Sequence, residues 1–227
     1  MGRTRAHIRL DLVMPMRRHL DTHDAQLWID GFARRIEELH QDLTELDRRA
    51  GDGDYGTNLR SALRRVTEAR ERQHPDSVAA VFTAVSDGFL HTGGTSGPLF
   101  GIWFRKIATA CVEEPGRGVR LAELALGVAA AVDAVQRLGH AEVGDNTMVD
   151  AMAPAANALG EAADRDADLP AALRAAATAA RRGAASTEHM LARKGRASYV
   201  GVHAVGVIDP GALTVAVFFE AAASITE

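Results

Sequence analysis

Asp47, Asp52 and Asp54 fall within eight residues in the run Asp47-Arg48-Arg49-Ala50-Gly51-Asp52-Gly53-Asp54-Tyr55-Gly56. Three carboxylates so close repel one another unless a cation neutralises them, and the interleaved glycines let their oxygens converge on it. Magnesium takes few protein carboxylates and completes its shell with water and phosphate oxygens. The cluster therefore suits a metal-nucleotide site better than a closed structural one. A calcium EF-hand needs an acidic or amide side chain at the fifth loop position and glutamate at the twelfth. Counted from Asp52 these are Gly56 and Leu63. Gly51, Gly53 and Gly56 have the spacing of a dinucleotide fingerprint, but a helical stripe rather than a strand precedes them, and Asp52 and Asp54 would face a pyrophosphate without compensation. A solvated turn rich in Asp and Gly is the plain alternative for a single match.

The other loops weigh against that alternative. Gly93-Gly94-Thr95-Ser96-Gly97 precedes a helix and offers backbone N–H groups, two hydroxyls and the positive end of a helix dipole, a setting for an anion. It lacks the lysine of a Walker loop, and an N-cap alone would use the same residue types. Gly144-Asp145-Asn146-Thr147 opens another helix, with Thr147 a candidate phosphate or ribose contact. Arg193, Lys194 and Arg196 place three cations in a flexible stretch. Alone this is a solvated surface; beside phosphates it supplies charge. Phosphoryl transfer is catalysed by positioning and by neutralising charge on the transferred group, and Arg196 is the candidate for that role. None of the nine histidines stands beside a Ser or Cys with a third orienting group. His91 reads as a helix-end dipole partner.

These loops must be held by helices. From Ala25 onward, Trp28, Phe32, Ile36, Leu39, Leu43 and Leu46 recur at steps of three or four, which predicts one long amphipathic helix leading into the acidic loop. A second helix follows from Thr57 or Asn58. A third, capped by Asp76 or Ser77, carries Val78 to Phe89, and a fourth carries Leu99, Ile102, Trp103 and Ile107. Leu121 to Val135 mark a fifth, Thr147 to Ala163 a sixth and Leu169 to Leu191 an alanine-rich seventh. Pro210 suits the first turn of a last helix to Ala223, although Leu213 to Phe219 would also fit a strand. The fold class is all-α, an eight-helix antiparallel bundle or barrel. Alternate junctions of such a bundle share one end, so residues 51–58, 93–97, 144–147 and 195–211 are placed to build one site. Residues 1–24 read as an N-terminal extension, in part poorly ordered, and 25–227 as a single domain; Met14 or Met16 is a possible natural start.

Composition narrows the function. A net charge of -4 with both signs interspersed has no basic stripe, which excludes bulk nucleic-acid binding. The single Cys111, in an apolar run, excludes a disulfide framework and a cysteine metal site. The longest Ala/Val stretch, Ala125 to Val132, falls short of the roughly 18 apolar residues of a membrane span. The first residues are too short and charged for a signal peptide, so the expected location is cytoplasmic.

Taken together, the four loops resemble the L subunit (DhaL-type domain) of dihydroxyacetone kinases. The residues that carry the resemblance are Leu46-Asp47, Gly51 to Leu59, Gly93 to Gly101, Gly144 to Met148, Ala192 to Tyr199 and Asp209 to Ala212. The resemblance implies a barrel with ADP or ATP at one end and two magnesium ions on Asp47, Asp52 and Asp54. It places nucleotide contacts at Tyr55, Gly56, Thr57, Asn58, Thr95, Ser96, Gly144, Arg196, Asp209, Pro210 and Gly211. Ala153 stands where a bulkier residue near the base is expected. The resemblance also implies a partner K subunit that holds dihydroxyacetone through a hemiaminal bond to a histidine. In one form of the family K and L are fused and ATP-dependent; in the other, resident ADP is rephosphorylated by an M subunit of the phosphotransferase system, and a separate L chain favours this second form. A homodimer is expected. Alternatives are a kinase subunit for another small ketose, tetrulose or fatty acid, and a nucleotide-loaded module that binds a transcriptional regulator.

Overall fold

The structure is a computed structural model that describes residues 17–114, 116–201 and 205–225. Most of the expected N-terminal extension, with both alternative start methionines, lies outside these residues. The helices are α1 (Thr22–Glu38), α2 (His40–Ala50), α3 (Tyr55–Gln73), α4 (Val78–Leu90), α5 (Ser96–Ala110), α6 (Leu121–Gly139), α7 (Val149–Asp164), α8 (Leu169–Ser186), α9 (Ala197–Val200) and α10 (Pro210–Ser224). A 3-10 turn, Thr187–His189, follows α8. Three very short strands, β1 (His19–Leu20), β2 (Glu113–Glu114) and β3 (Gly118–Arg120), pair antiparallel in the order β1-β3-β2.

Eight of the helices pack side by side in the order α1, α10, α8, α7, α6, α5, α4, α3 and back to α1, the antiparallel barrel that the hydrophobic spacing predicts. Aromatic side chains fill its interior. Trp28, Phe82, Trp103, Phe104, Phe218 and Phe219 are all fully buried, and the Trp28 Nε1–H donates to the Phe218 carbonyl at 2.7 Å. Their rings meet mostly edge-on or tilted, with Trp28 and Phe218 centroids 4.5 Å apart, the geometry that aromatic quadrupoles favour. Cys111 is a core residue whose thiol burial pushes up to about 12, leaving it inert. No described helix is long and apolar enough to cross a membrane.

Three differences from the predicted elements have physical causes. The first predicted helix turns at Leu39 and continues as α2, which lies against the start of α3. Gly56 permits that approach, since a Cβ there would stand 2.6 Å from the His40 carbonyl oxygen. The predicted seventh helix ends at Ser186 because Thr187 turns inward: its buried hydroxyl donates to the Ala184 carbonyl at 2.6 Å and accepts the Asp209 N–H at 2.9 Å. The Leu213–Phe219 run is helical. It lacks a polar stripe because α10 is buried on nearly every side, and apolar residues all round are the mark of an internal helix.

Candidate functional site

The end of α2 and the start of α3 build an acidic corner. Asp47, in the last turn of α2, is 7% exposed, and its Oδ2 accepts the Tyr55 N–H at 3.0 Å. The chain then folds back over the carboxylate at Gly51, where a Cβ would collide with Asp47 Oδ1. Gly53 supplies a left-handed turn with φ of 78°. Together these bends bring one oxygen from each of Asp47, Asp52 and Asp54 to within 4.8 Å of one another. Burial holds the Asp47 carboxyl above its ordinary value; the Tyr55 N–H opposes this and the charges of Asp52 and Asp54 add to it. Against the cost of its own burial, hydrogen bonding with Asp54 and the Arg196 charge hold Asp52 below the usual carboxylate range.

Arg196 reaches this corner from the far part of the sequence. Its Nη1 pairs with Asp52 Oδ1 and lies 3.0 Å from Asp54 Oδ1. Although burial alone would weaken its hold on the proton, Asp54 and Asp52 keep the guanidinium more firmly charged than usual. The loop before α5 closes on the same point: a Cβ on Gly94, whose φ is 83°, would stand 3.3 Å from Asn58 Nδ2 and 3.7 Å from Arg196 Nη2. Thr95 and Ser96 follow, with Ser96 opening α5, so their hydroxyls and the unpaired N–H groups of a helix start border the acidic corner.

Two more carboxylates, one buried and one half-buried, shape the opposite wall. Asp150, 3% exposed in the first turn of α7, accepts the Gly144 N–H on Oδ1 at 2.5 Å and the Thr147 N–H on Oδ2 at 2.8 Å. The α6–α7 loop is thereby fixed as a tight turn, with Gly144 at φ 98° and Asn146 at φ 60°. Asp209 caps α10 by accepting the Ala212 N–H at 2.7 Å. Burial pushes its carboxyl up to about 7; the Ala212 N–H opposes the shift and the Asp150 charge adds to it.

Between these walls lies a cleft with about 930 Å³ of empty space, the open solvent at its mouth included. It is lined by polar groups, Asp47, Asp54, Asn58, Gly94, Thr95, Ser96 and Arg196, and by apolar ones, Leu99, Val135, Gly139, Ala141 and Met148. Tyr55, Thr147, Asp209, Pro210 and Gly211 also line it, and Asp52 joins it through Arg196. Tyr55 does so with its backbone side, because its buried hydroxyl is 2.8 Å from Thr214 Oγ1, and burial raises the phenol far above its ordinary value.

Gly56, Thr57 and Gly144 do not line the cleft. Gly56 packs against α2, Thr57 faces solvent and Gly144 is turned to Asp150. Ala153 also lies away from it, packed against the core further along α7, so it forms no wall for a base. Sequence reasoning missed the apolar lining, since Leu99 and Val135 look like any core residue of a stripe. It also missed Asp150, which one signal could have found: Thr147-x-x-Asp150 has the spacing of a capping box.

The donor set fits magnesium. All three groups are hard oxygen ligands on a bent loop, one buried and two exposed, which leaves positions for water and phosphate. The adjoining hydroxyls, helix start and arginine are donors for phosphate oxygens.

Comparison with known proteins agrees with this chemistry. A family model described as the DAK2 domain matches residues 49–224. The ADP-binding subunit DhaL of PEP-dependent dihydroxyacetone kinase 1 from Listeria innocua is 32% identical over 195 residues, 86% of this chain and 91% of its own length. The corresponding Escherichia coli K12 subunit, named for a PEP-dependent dihydroxyacetone kinase, is 37% identical over 174 residues, 76% of this chain and 82% of its own. Among solved structures, the dihydroxyacetone kinase from C. freundii in complex with AMP-PNP and Mg2+ superposes with a TM-score of 0.66 at 27% identity. It covers 100% of this chain, which spans only 37% of that longer one. On the match over most of its length, on relatives close to its own size and on the shared helical barrel, the chain belongs to the DAK2 domain family, alongside the DhaL-type ADP-binding subunits of dihydroxyacetone kinases.

Proposed function

We propose that this chain is the nucleotide-holding L subunit of a dihydroxyacetone kinase. Residues from Ala25 onward act as one domain that binds ADP or ATP and passes the terminal phosphoryl group to dihydroxyacetone held by a separate K subunit. An M subunit of the phosphotransferase system recharges ADP that stays bound, and the reaction takes place in the cytoplasm. The observation that carries this reading is the convergence of Asp47, Asp52 and Asp54 at a cleft lined by both polar and apolar side chains. A nucleotide calls for both, polar groups for its phosphates and apolar surface for its base.

The chain's own residues then have separable tasks. Asp47, Asp52 and Asp54 would hold a pair of magnesium ions, which supply positive charge to the phosphate oxygens. Thr95, Ser96 and the start of α5 donate to the phosphates and fix their direction. Arg196, already at the edge of the acidic corner, stands where charge grows on the transferred group, the place where a guanidinium acts in phosphoryl transfer. The open mouth leaves room for a partner to bring its substrate alongside.

The test is reconstitution. The purified chain is mixed with a dihydroxyacetone-binding K subunit, a phosphorylated M subunit and dihydroxyacetone, and dihydroxyacetone phosphate is assayed. Product that depends on this chain and on bound ADP supports the reading; ADP binding with no transfer to dihydroxyacetone from either ATP or the M subunit contradicts it.

A further inference from the structure

The loop that carries Thr95 and Ser96 has little of its own to hold it in place. Gly93 and Gly94 are exposed and bring no side chain, and a Cβ on Gly93 would meet nothing within 4 Å beyond its chain neighbours. The path of Thr95 and Ser96 along the cleft is therefore set by the anchors on either side. After them, Gly97 seats α5 on the end of α4, where its Cβ would stand 2.6 Å from the Thr92 carbonyl oxygen. Before them stands Arg65 of α3. Its Nη1 donates to the His91 carbonyl at 2.7 Å and to the Thr92 hydroxyl at 3.1 Å. That buried hydroxyl donates in turn to the Gly88 carbonyl at 2.9 Å, so the last turn of α4 and the start of the loop are tied to one guanidinium.

Arg65 belongs to the helix that begins at the acidic corner. Asn58, seven positions earlier on the same face of α3, places its Nδ2 beside Gly94. Gly88 lets α4 close on that helix, since a Cβ there would stand 3.0 Å from the Ala62 carbonyl oxygen. One face of α3 thus meets the loop at two points and fixes it relative to Asp52 and Asp54. Arg65 does not itself line the cleft. We infer that Arg65 is a positioning residue for nucleotide binding, which holds Thr95 and Ser96 in reach of the phosphates without touching them. The inference rests on the reading of the cleft as an ADP site.

The test is a double-mutant cycle read by calorimetry of ADP binding in the presence of magnesium, well below the melting temperature of each protein. Arg65→Met removes the donors and keeps the stem. Arg65→Lys restores a donor, and one ammonium can make both bonds because a single nitrogen makes them in the wild type. Thr95→Val with Ser96→Ala removes the loop hydroxyls. Arg65→Met is expected to bind ADP about 10-fold more weakly, and Arg65→Lys nearly as the wild type does. The loop variant alone is weaker by about 10-fold or more, and adding Arg65→Met to it costs no more than about 3-fold further, since a residue that acts through the loop then has little left to position. Wild-type affinity in Arg65→Met overturns the inference, because the loop then keeps its place without the guanidinium. An undiminished effect of Arg65→Met on the loop variant overturns it too, as the mark of a structural role that does not pass through the loop. So does Arg65→Lys as weak as Arg65→Met, or a loop variant that binds ADP normally, for then the loop holds no phosphate. A wild type that binds no ADP with magnesium present overturns the ADP reading itself, and the inference falls with it; the two failures differ in which protein shows them.

Discussion

Arg196 Nη1 lies 3.0 Å from Asp54 Oδ1, joining residues 142 positions apart in the sequence. The same nitrogen pairs with Asp52. The basic stretch and the acidic loop, each of which reads alone as a solvated surface, thus form one electrostatic unit. The guanidinium neutralises two exposed carboxylates, and it stands where the phosphates of a bound nucleotide would compete with them for its hydrogen bonds.

Arg196→Ala is expected to lower phosphoryl transfer by about 1,000-fold in the reconstituted system while weakening ADP binding far less, because charge neutralisation matters most in the transition state. Arg196→Lys recovers only part of the rate, since an ammonium lacks the planar fork. Steady-state rates set beside ADP affinity for the three proteins decide this; an equal fall in rate and affinity would assign Arg196 to binding alone.

Gly51→Ala tests the bend over the metal ligand. The added Cβ collides with Asp47 Oδ1, so the carboxylate must rotate out of the cluster. Magnesium-dependent ADP affinity should fall by roughly 10-fold or more, while far-UV circular dichroism and the melting temperature stay near wild type. A variant that binds ADP normally would mean that Asp47 does not need its observed position.

Asp209 gives a pH dependence whose sign follows from its shift. Burial raises its carboxyl to about 7 in the folded protein, from an ordinary value of 3.8. Between these values the folded state binds more protons than the unfolded state, so stability is highest below the unfolded value and falls as pH rises through the folded one. Asp209→Asn keeps an acceptor for the Ala212 N–H and removes the charge. Urea denaturation of the ligand-free protein should show the variant gaining on the wild type between about pH 5 and pH 8, by up to a few kcal/mol at about 1.4 kcal/mol per pH unit. A constant difference across that range would contradict the assignment.

The barrel interior should be separable from the site. Phe218→Ala removes a fully buried ring that touches Trp28, Phe32 and Trp103 and is expected to cost roughly 3–5 kcal/mol of stability. Below its melting temperature the variant should still bind ADP with near wild-type affinity. Chemical denaturation and calorimetry on one sample check both halves.

What the sequence made legible is what lies in one local run. The Asp and Gly spacing of residues 47–56 and the small polar loop at 93–97 announce their chemistry because the residue types and the turn that bends them are adjacent. The helices showed through their period wherever one face meets water. Where that contrast fails, the reading failed with it: α10 has almost no wet face, so Leu213 to Phe219 fitted a strand as well. The turn at Leu39 leaves the stripe of three and four unbroken and shows only as packing against Gly56. The inward phenol of Tyr55 depends on Thr214, 159 positions away. The apolar lining of the cleft includes Leu99, Val135 and Met148, which no local pattern separates from the core.

The central claim is that the three aspartates are the metal half of a nucleotide site. It is tested most directly by calorimetric titration of ADP into protein first stripped with EDTA, with and without magnesium, on the wild type and on Asp52→Asn. The account predicts tight binding by the wild type only when magnesium is present, and a loss of roughly 100-fold or more in the variant, as befits removal of a charged ligand from a shared metal cluster. Equal ADP affinity without magnesium, or undiminished binding by Asp52→Asn, would contradict it.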